Sequence, residues 1–138
     1  MVCHTAPGSA EYAGGLAFPL PFGSLYSTNI TADKDTGIGN YSDQDFLNAV
    51  QRGIRKDGAR LYPAMPCTSY TFMTNADVLA IKAYLFSLPA VHRPNQGDTG
   101  GYPGAGDLSA QHSRSCLIPA GNDRDAGARV AESGRRSC

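Results

Sequence analysis

Thr74-Asn75-Ala76-Asp77 leads into Val78-Leu79-Ala80-Ile81-Lys82-Ala83-Tyr84-Leu85-Phe86-Ser87-Leu88 and stops at Pro89. A threonine followed by an asparagine and an aspartate can cap the free N–H groups of a helix and complement its positive end. Val78, Leu79, Ile81, Ala83, Tyr84, Leu85 and Leu88 keep helical spacing, and a proline cannot continue the ladder. This predicts a helix over about residues 75–88. Working back along the chain, Ser42-Asp43-Gln44-Asp45 is a second start of the same kind. Phe46, Leu47, Ala49 and Val50 give it a short amphipathic face, and Gly53 supplies a left-handed cap.

Upstream the pattern changes. From Thr5 to Thr36 the chain is punctuated by Pro7-Gly8, Gly14-Gly15, Pro19, Pro21 and Gly23, which predicts an ordered but mostly irregular segment. Its apolar residues, Phe18, Phe22, Leu25, Tyr26 and Ile30, need a surface to cover. A loop of this length in a compact domain is usually functional, and wrapping a bound cofactor is one such function. Downstream, Leu108, Leu117, Ile118 and Val130 are the only large aliphatics of residues 98–138. That tail cannot offset its ordering entropy by burial and reads as disordered and low in complexity. The expected organisation is therefore a domain over residues 1–97 followed by this tail.

The whole chain has 138 residues, with 12 Lys+Arg against 12 Asp+Glu, 41% hydrophobic residues, 16 Gly and 9 Pro. The charge balance argues against a nucleic-acid binder. The density of Gly and Pro argues against a strand-rich or long-helix fold. No apolar run approaches the ~20 residues that span a bilayer, and no export signal is visible. Cys3, Cys67, Cys116 and Cys138 contain neither a Cys-x-x-Cys pair nor a zinc-ribbon spacing.

Chemistry concentrates in two places. Cys3-His4 is the second half of the Cys-x-x-Cys-His sequence, in which two cysteines bind the porphyrin vinyls and the histidine binds iron. The spacing puts the first cysteine immediately before Met1. Leu61-Tyr62-Pro63-Ala64-Met65-Pro66 presents a thioether between two prolines that restrict the backbone on either side. Such a sulfur favours reduced iron and raises a haem potential. Met73 reads as a gap-filler, and His92 and His112 read as solvated loop and tail residues. Asp33-Lys34-Asp35 resembles a fragment of a calcium loop and reads as a solvated turn. Arg52, Arg55, Lys56 and Arg60 form a basic cluster at a helix end, suited to a haem propionate or an acidic partner surface.

Taken in order, Cys3-His4-Thr5-Ala6-Pro7-Gly8, Tyr26-Ser27-Thr28-Asn29-Ile30-Thr31, Thr36-Gly37-Ile38-Gly39, Phe46, Asp57-Gly58, Leu61-Tyr62-Pro63-Ala64-Met65-Pro66 and Ala83-Tyr84-Leu85 resemble one cytochrome c domain. The type is that repeated in the multihaem cytochrome subunits of bacterial membrane-bound alcohol, gluconate and sorbitol dehydrogenases. It also occurs in the cytochrome subunits paired with molybdenum-dependent aldehyde or isoquinoline oxidoreductases. The resemblance runs through nearly all of residues 3–95. It implies a small all-α, class I cytochrome c-like fold with long irregular loops and one haem c. Cys3 would be a thioether anchor, His4 the proximal iron ligand and Met65 the distal one. It also implies an electron carrier rather than an enzyme, on the periplasmic side of the inner membrane. Its partners would be a dehydrogenase catalytic subunit and a quinone or oxidase acceptor. The chain departs from the family pattern in lacking the first haem cysteine and the N-terminal helix. It has Cys67 where the family usually has Tyr, read here as an inert buried thiol or a competitor for iron. The tail after Asn95 reads as a truncated or frame-shifted continuation. Two other readings compete: a haem-free fragment or binding module, and a Cys/His metal-binding module built from Cys3, His4 and Cys67.

Overall fold

The structure is a computed structural model that describes residues 3–21, 23–62 and 64–99. The tail beyond Thr99, with His112, Cys116 and Cys138, lies outside the described residues, as do Phe22 and Pro63. In chain order the elements are strands β1 (Ala17–Leu20) and β2 (Gly23–Tyr26), then helices α1 (Asp43–Arg52), α2 (Cys67–Tyr70) and α3 (Asn75–Ser87).

Both expected helix starts form as the sequence dictates. Ser42 Oγ accepts the Asp45 N–H at 3.1 Å and the Asp45 carboxylate accepts the Ser42 N–H at 3.0 Å, a reciprocal box that satisfies two orphan donors. The Ser42 hydroxyl, which donates to the Asp45 carboxylate at 2.8 Å, and then the Ser42 N–H hold that carboxyl below the usual aspartate range. At the other end Gly53 turns left-handed at φ 63° and its N–H reaches back to Ala49. Thr74 caps α3 by accepting the Asp77 N–H at 3.1 Å, and α3 ends one residue before Leu88 and two before Pro89.

Helices α1 and α3 pack on each other through Ile38, Phe46, Leu47, Val78 and Leu85, with Tyr12, Ile30, Val50 and Met73 against the margins. Met73 thus fills the edge of a core, as its sequence context predicts. Val78 is fully buried, a position where burial contributes about 1.5–3 kcal/mol. Lys82 fastens the pair on the outside, donating to Tyr41 O at 2.9 Å and to the Asp43 carboxylate at 2.7 Å. Helix α3 is apolar beyond the stripe it buries, so Ile81, Tyr84 and Phe86 remain exposed.

The fold is not all-α, which corrects the expected fold class. Helices of 10, 4 and 13 residues make up only about 28% of the described residues, and β1 and β2 pair antiparallel. The register pairs Ala17 with Tyr26, Phe18 with Leu25, Pro19 with Ser24 and Leu20 with Gly23. The physical reason lies in the same prolines that mark the segment as irregular. Pro19 and Pro21 exclude a helix, but a two-stranded ribbon tolerates a proline wherever its missing N–H would face away from the partner strand. The free edge of β2 is taken by the chain's return: Ser24 and Thr99 exchange N–H···O bonds of 3.0 and 2.9 Å.

Candidate functional site

Residues 3–16 are a compact loop rather than a frayed end. Thr5 bridges to Gly14 in parallel fashion, Gly14 N–H donates to His4 O at 2.8 Å, and Tyr12 N–H donates to Thr5 Oγ1 at 3.0 Å. The Pro7-Gly8 turn sits within this loop, where Gly8 takes φ 74° and Ser9 N–H donates to Ala6 O at 3.0 Å. Cys3 is an exposed free thiol, and His4 next to it is half-buried.

His4 is held in one tautomer. Its Nδ1 lies 2.7 Å from Thr28 O, and a carbonyl can only accept, so Nδ1 carries the proton. The Nε2 lone pair is then available to a metal. Burial pushes the His4 pKa below its ordinary value, outweighing the opposing pull of the Thr28 carbonyl. A neutral imidazole with an available Nε2 is the state that binds iron.

The Thr28 carbonyl is itself held. An ideal Cβ on Gly14 would lie 2.5 Å from Thr28 C and 2.7 Å from Asn29 N, so Gly14, at φ 75°, packs face-on against the Thr28–Asn29 peptide group. Asn29, nearly inaccessible at 2% exposure, is fully bonded. Its Nδ2 donates to Thr36 Oγ1 at 3.0 Å and Val91 O at 2.8 Å, and its Oδ1 accepts from Thr31 N at 3.0 Å and Thr31 Oγ1 at 2.8 Å. Arg93 N–H donates to Thr36 Oγ1 at 2.9 Å, which draws residues 91–95 onto the loop that carries Thr28.

Met65 occupies a tight turn just ahead of α2. Its N–H donates to Tyr62 O at 2.9 Å, its carbonyl accepts from Cys67 N–H at 2.8 Å, and Leu61 N–H donates to Gly53 O at 2.8 Å, which ties the turn to the end of α1. Met65 is half-buried. Leu25 and Leu85 are buried, and Tyr26, Ile30 and Leu61 are half-buried. Cys67 is 1% exposed and disulfide-bonded, so it is not the thiol that the sequence suggests.

The remaining candidates are accounted for locally. Asp33 accepts from Thr36 N–H and Thr36 Oγ1, each at 2.7 Å, and from Asp35 N–H at 3.2 Å. These bonds, led by Thr36, hold its carboxyl below the usual range, and the exposed His92 ring stands 3.5 Å away. An aspartate so engaged closes a turn rather than a calcium loop. Arg55 pairs with Asp57, and Lys56 donates to Asn40 O. Among the described residues no group of three or more His, Cys, Asp or Glu could hold a metal ion, which leaves the Cys3, His4 and Cys67 module without support. Among the same residues no helix is long and apolar enough to cross a membrane.

Known proteins share this sequence over most of the described residues. The chain is 51% identical over 92 residues to a nicotinate dehydrogenase subunit of Pseudomonas putida, covering 67% of this chain and 8% of that protein. It is 50% identical over 84 residues to the gluconate 2-dehydrogenase cytochrome c subunit of Pantoea cypripedii, 61% of this chain and 19% of the relative. It is 49% identical over 84 residues to the alcohol dehydrogenase (quinone) cytochrome c subunit of Gluconobacter oxydans, 61% and 18%. The chain is homologous to the cytochrome c subunits of dehydrogenases. It spans less than a fifth of the length of these relatives. No family model matches it.

The residue types single out Cys3, His4 and Met65 but not the apparatus around His4: Gly14 as a packing surface, Asn29 as a buried latch, and Asn95, whose Oδ1 accepts the Asn29 N–H at 2.7 Å. The Gly14-Gly15 doublet is the one local signal, and it reads equally well as an ordinary turn.

Proposed function

We propose that this chain is a haem c electron carrier, part of a cytochrome subunit that relays electrons from a dehydrogenase toward a quinone or oxidase on the periplasmic side of the membrane. It carries one haem, with Cys3 as a thioether anchor, His4 as proximal ligand and Met65 as distal ligand. The observation that carries the reading is the 2.7 Å bond from His4 Nδ1 to Thr28 O, which fixes the imidazole with Nε2 free beside an exposed thiol. The homology to dehydrogenase cytochrome c subunits supports the same assignment.

The haem supplies a one-electron iron couple when bound. The chain's own residues do the rest. Cys3 would anchor the haem and His4 would offer Nε2 to the iron from a fixed orientation, while Thr28 O keeps the His4 proton on Nδ1. Met65 would offer its sulfur from a turn whose backbone is already bonded at both the N–H and the carbonyl, so little chain entropy would be lost in presenting it. With His4 and Met65 both given to the iron, no position would be left for substrate, which would suit a carrier and not an enzyme.

A spectroelectrochemical titration of the haem-loaded chain tests this. The expected curve is a single reversible one-electron transition, a factor of ten in the oxidised-to-reduced ratio per ~59 mV. Two resolved transitions would refute the single haem, and irreversible reduction would refute the carrier.

A further inference from the structure

We propose that Asn95 is a positioning residue for His4, acting through the single peptide group between Thr28 and Asn29. The proposal rests on the reading of His4 as the proximal ligand. The carbonyl of that peptide accepts from His4 Nδ1 at 2.7 Å, and its N–H donates to Asn95 Oδ1 at 2.7 Å. The two bonds therefore sit at opposite ends of one planar unit that can turn only as a whole.

The orientation of the Asn95 amide follows from chemistry. Its Oδ1 faces an N–H, and its Nδ2 donates to Thr36 O at 3.2 Å, so both ends of the amide are matched. The peptide is blocked on one face by Gly14, whose absent side chain leaves room for nothing else. Asn95 is held in reach because Asn29 and Thr36 bind Val91 and Arg93 just before it. A peptide that donates at its N–H is polarised and accepts more strongly at its carbonyl. A stronger pull on the Nδ1 proton makes Nε2 a better electron donor to a metal. Asn95 thus sets both the angle and the basicity of His4 from the exposed side of the loop, without touching it.

The test needs no haem, so its failure is separable from failure of the carrier reading. In the full chain labelled with nitrogen-15, the His4 Nδ1 proton is followed by NMR in wild type, Asn95→Ala and Asn95→Asp. Asn95→Ala removes the acceptor, and the Nδ1 proton is expected to shift upfield and exchange with water about tenfold faster, as expected when local opening becomes easier. Asn95→Asp keeps an oxygen at that place and adds charge, and the proton is expected to shift downfield. A merely structural role would move both variants in the same direction. An unchanged Nδ1 proton in Asn95→Ala, or shifts of the same sign in both, would overturn the proposal.

Discussion

In the haem-loaded chain, Met65→Ala is expected to lower the reduction potential by on the order of tenths of a volt, within the ~0.8 V range that axial ligands span. As the proposed ligand the thioether would be a soft donor that favours the reduced iron, and its removal would leave that position to water or to added imidazole. The proposed attachment through Cys3 and the proposed bond to His4 would not depend on Met65, so haem should stay in place. The turn should also survive, because the Met65 N–H bond to Tyr62 and the Cys67 bond to Met65 O are backbone interactions that alanine retains. Met73→Ala is the control. Met73 packs half-buried at the margin of the α1–α3 core, so its truncation should cost about 1–2 kcal/mol of stability through lost packing, keep the backbone carbonyl that accepts from Gln51 Nε2 at 3.0 Å, and leave the potential where it was. A potential unmoved by Met65→Ala would remove Met65 from the ligand set while leaving the haem reading intact.

Gly14→Ala carries the largest expected cost in stability. A left-handed alanine costs about 1–2 kcal/mol, and overpacking against the Thr28–Asn29 backbone adds about 1–3 kcal/mol, because a backbone cannot step aside as a flexible side chain can. Gly8 provides the comparison: it has nearly the same φ, 74°, but nothing lies within 4 Å of its would-be Cβ. Gly8→Ala should therefore lose only the conformational part. Urea unfolding of the two variants measures the difference, and equal losses would mean that the close packing at Gly14 has no energetic weight. Because the displaced peptide is the one that accepts from His4, Gly14→Ala should also free the His4 ring, visible as mixed tautomers.

These contrasts show why some of the molecule is legible in sequence and some is not. Ser42, Gly53 and Thr74 act on backbone groups within four residues of themselves, so their residue types alone announce α1 and α3. The strand pair is a different matter. Pro19, Pro21 and Gly23 mark a break from helix, but these residue types do not say whether the chain then wanders or pairs; β1 and β2 pair with each other, and Thr99, 75 residues from Ser24, meets the outer edge. The cofactor ligands proposed here, Cys3, His4 and Met65, stand out through adjacent chemistry, a thiol beside an imidazole and a thioether between prolines. Asn29 and Asn95 do not, since an asparagine in a loop is ordinary and these two lie 66 residues apart in the chain. Apolar pattern also misleads on α3, where Ile81 and Tyr84 share the helical spacing of Val78 and Leu85 yet stay 40% and 53% exposed.

Covalent haem attachment is the claim on which the rest depends, and one measurement tests it. The chain is extended by a cysteine placed immediately before Met1, which completes Cys-x-x-Cys-His with Cys3 and His4, and is exported together with the haem-attachment machinery. It is then denatured, and the haem spectrum of the protein fraction is recorded. Haem that stays with the unfolded polypeptide, and is lost when both the added cysteine and Cys3 are replaced by alanine, is the result this account predicts. A polypeptide that acquires no haem, or releases it on denaturation, would contradict it.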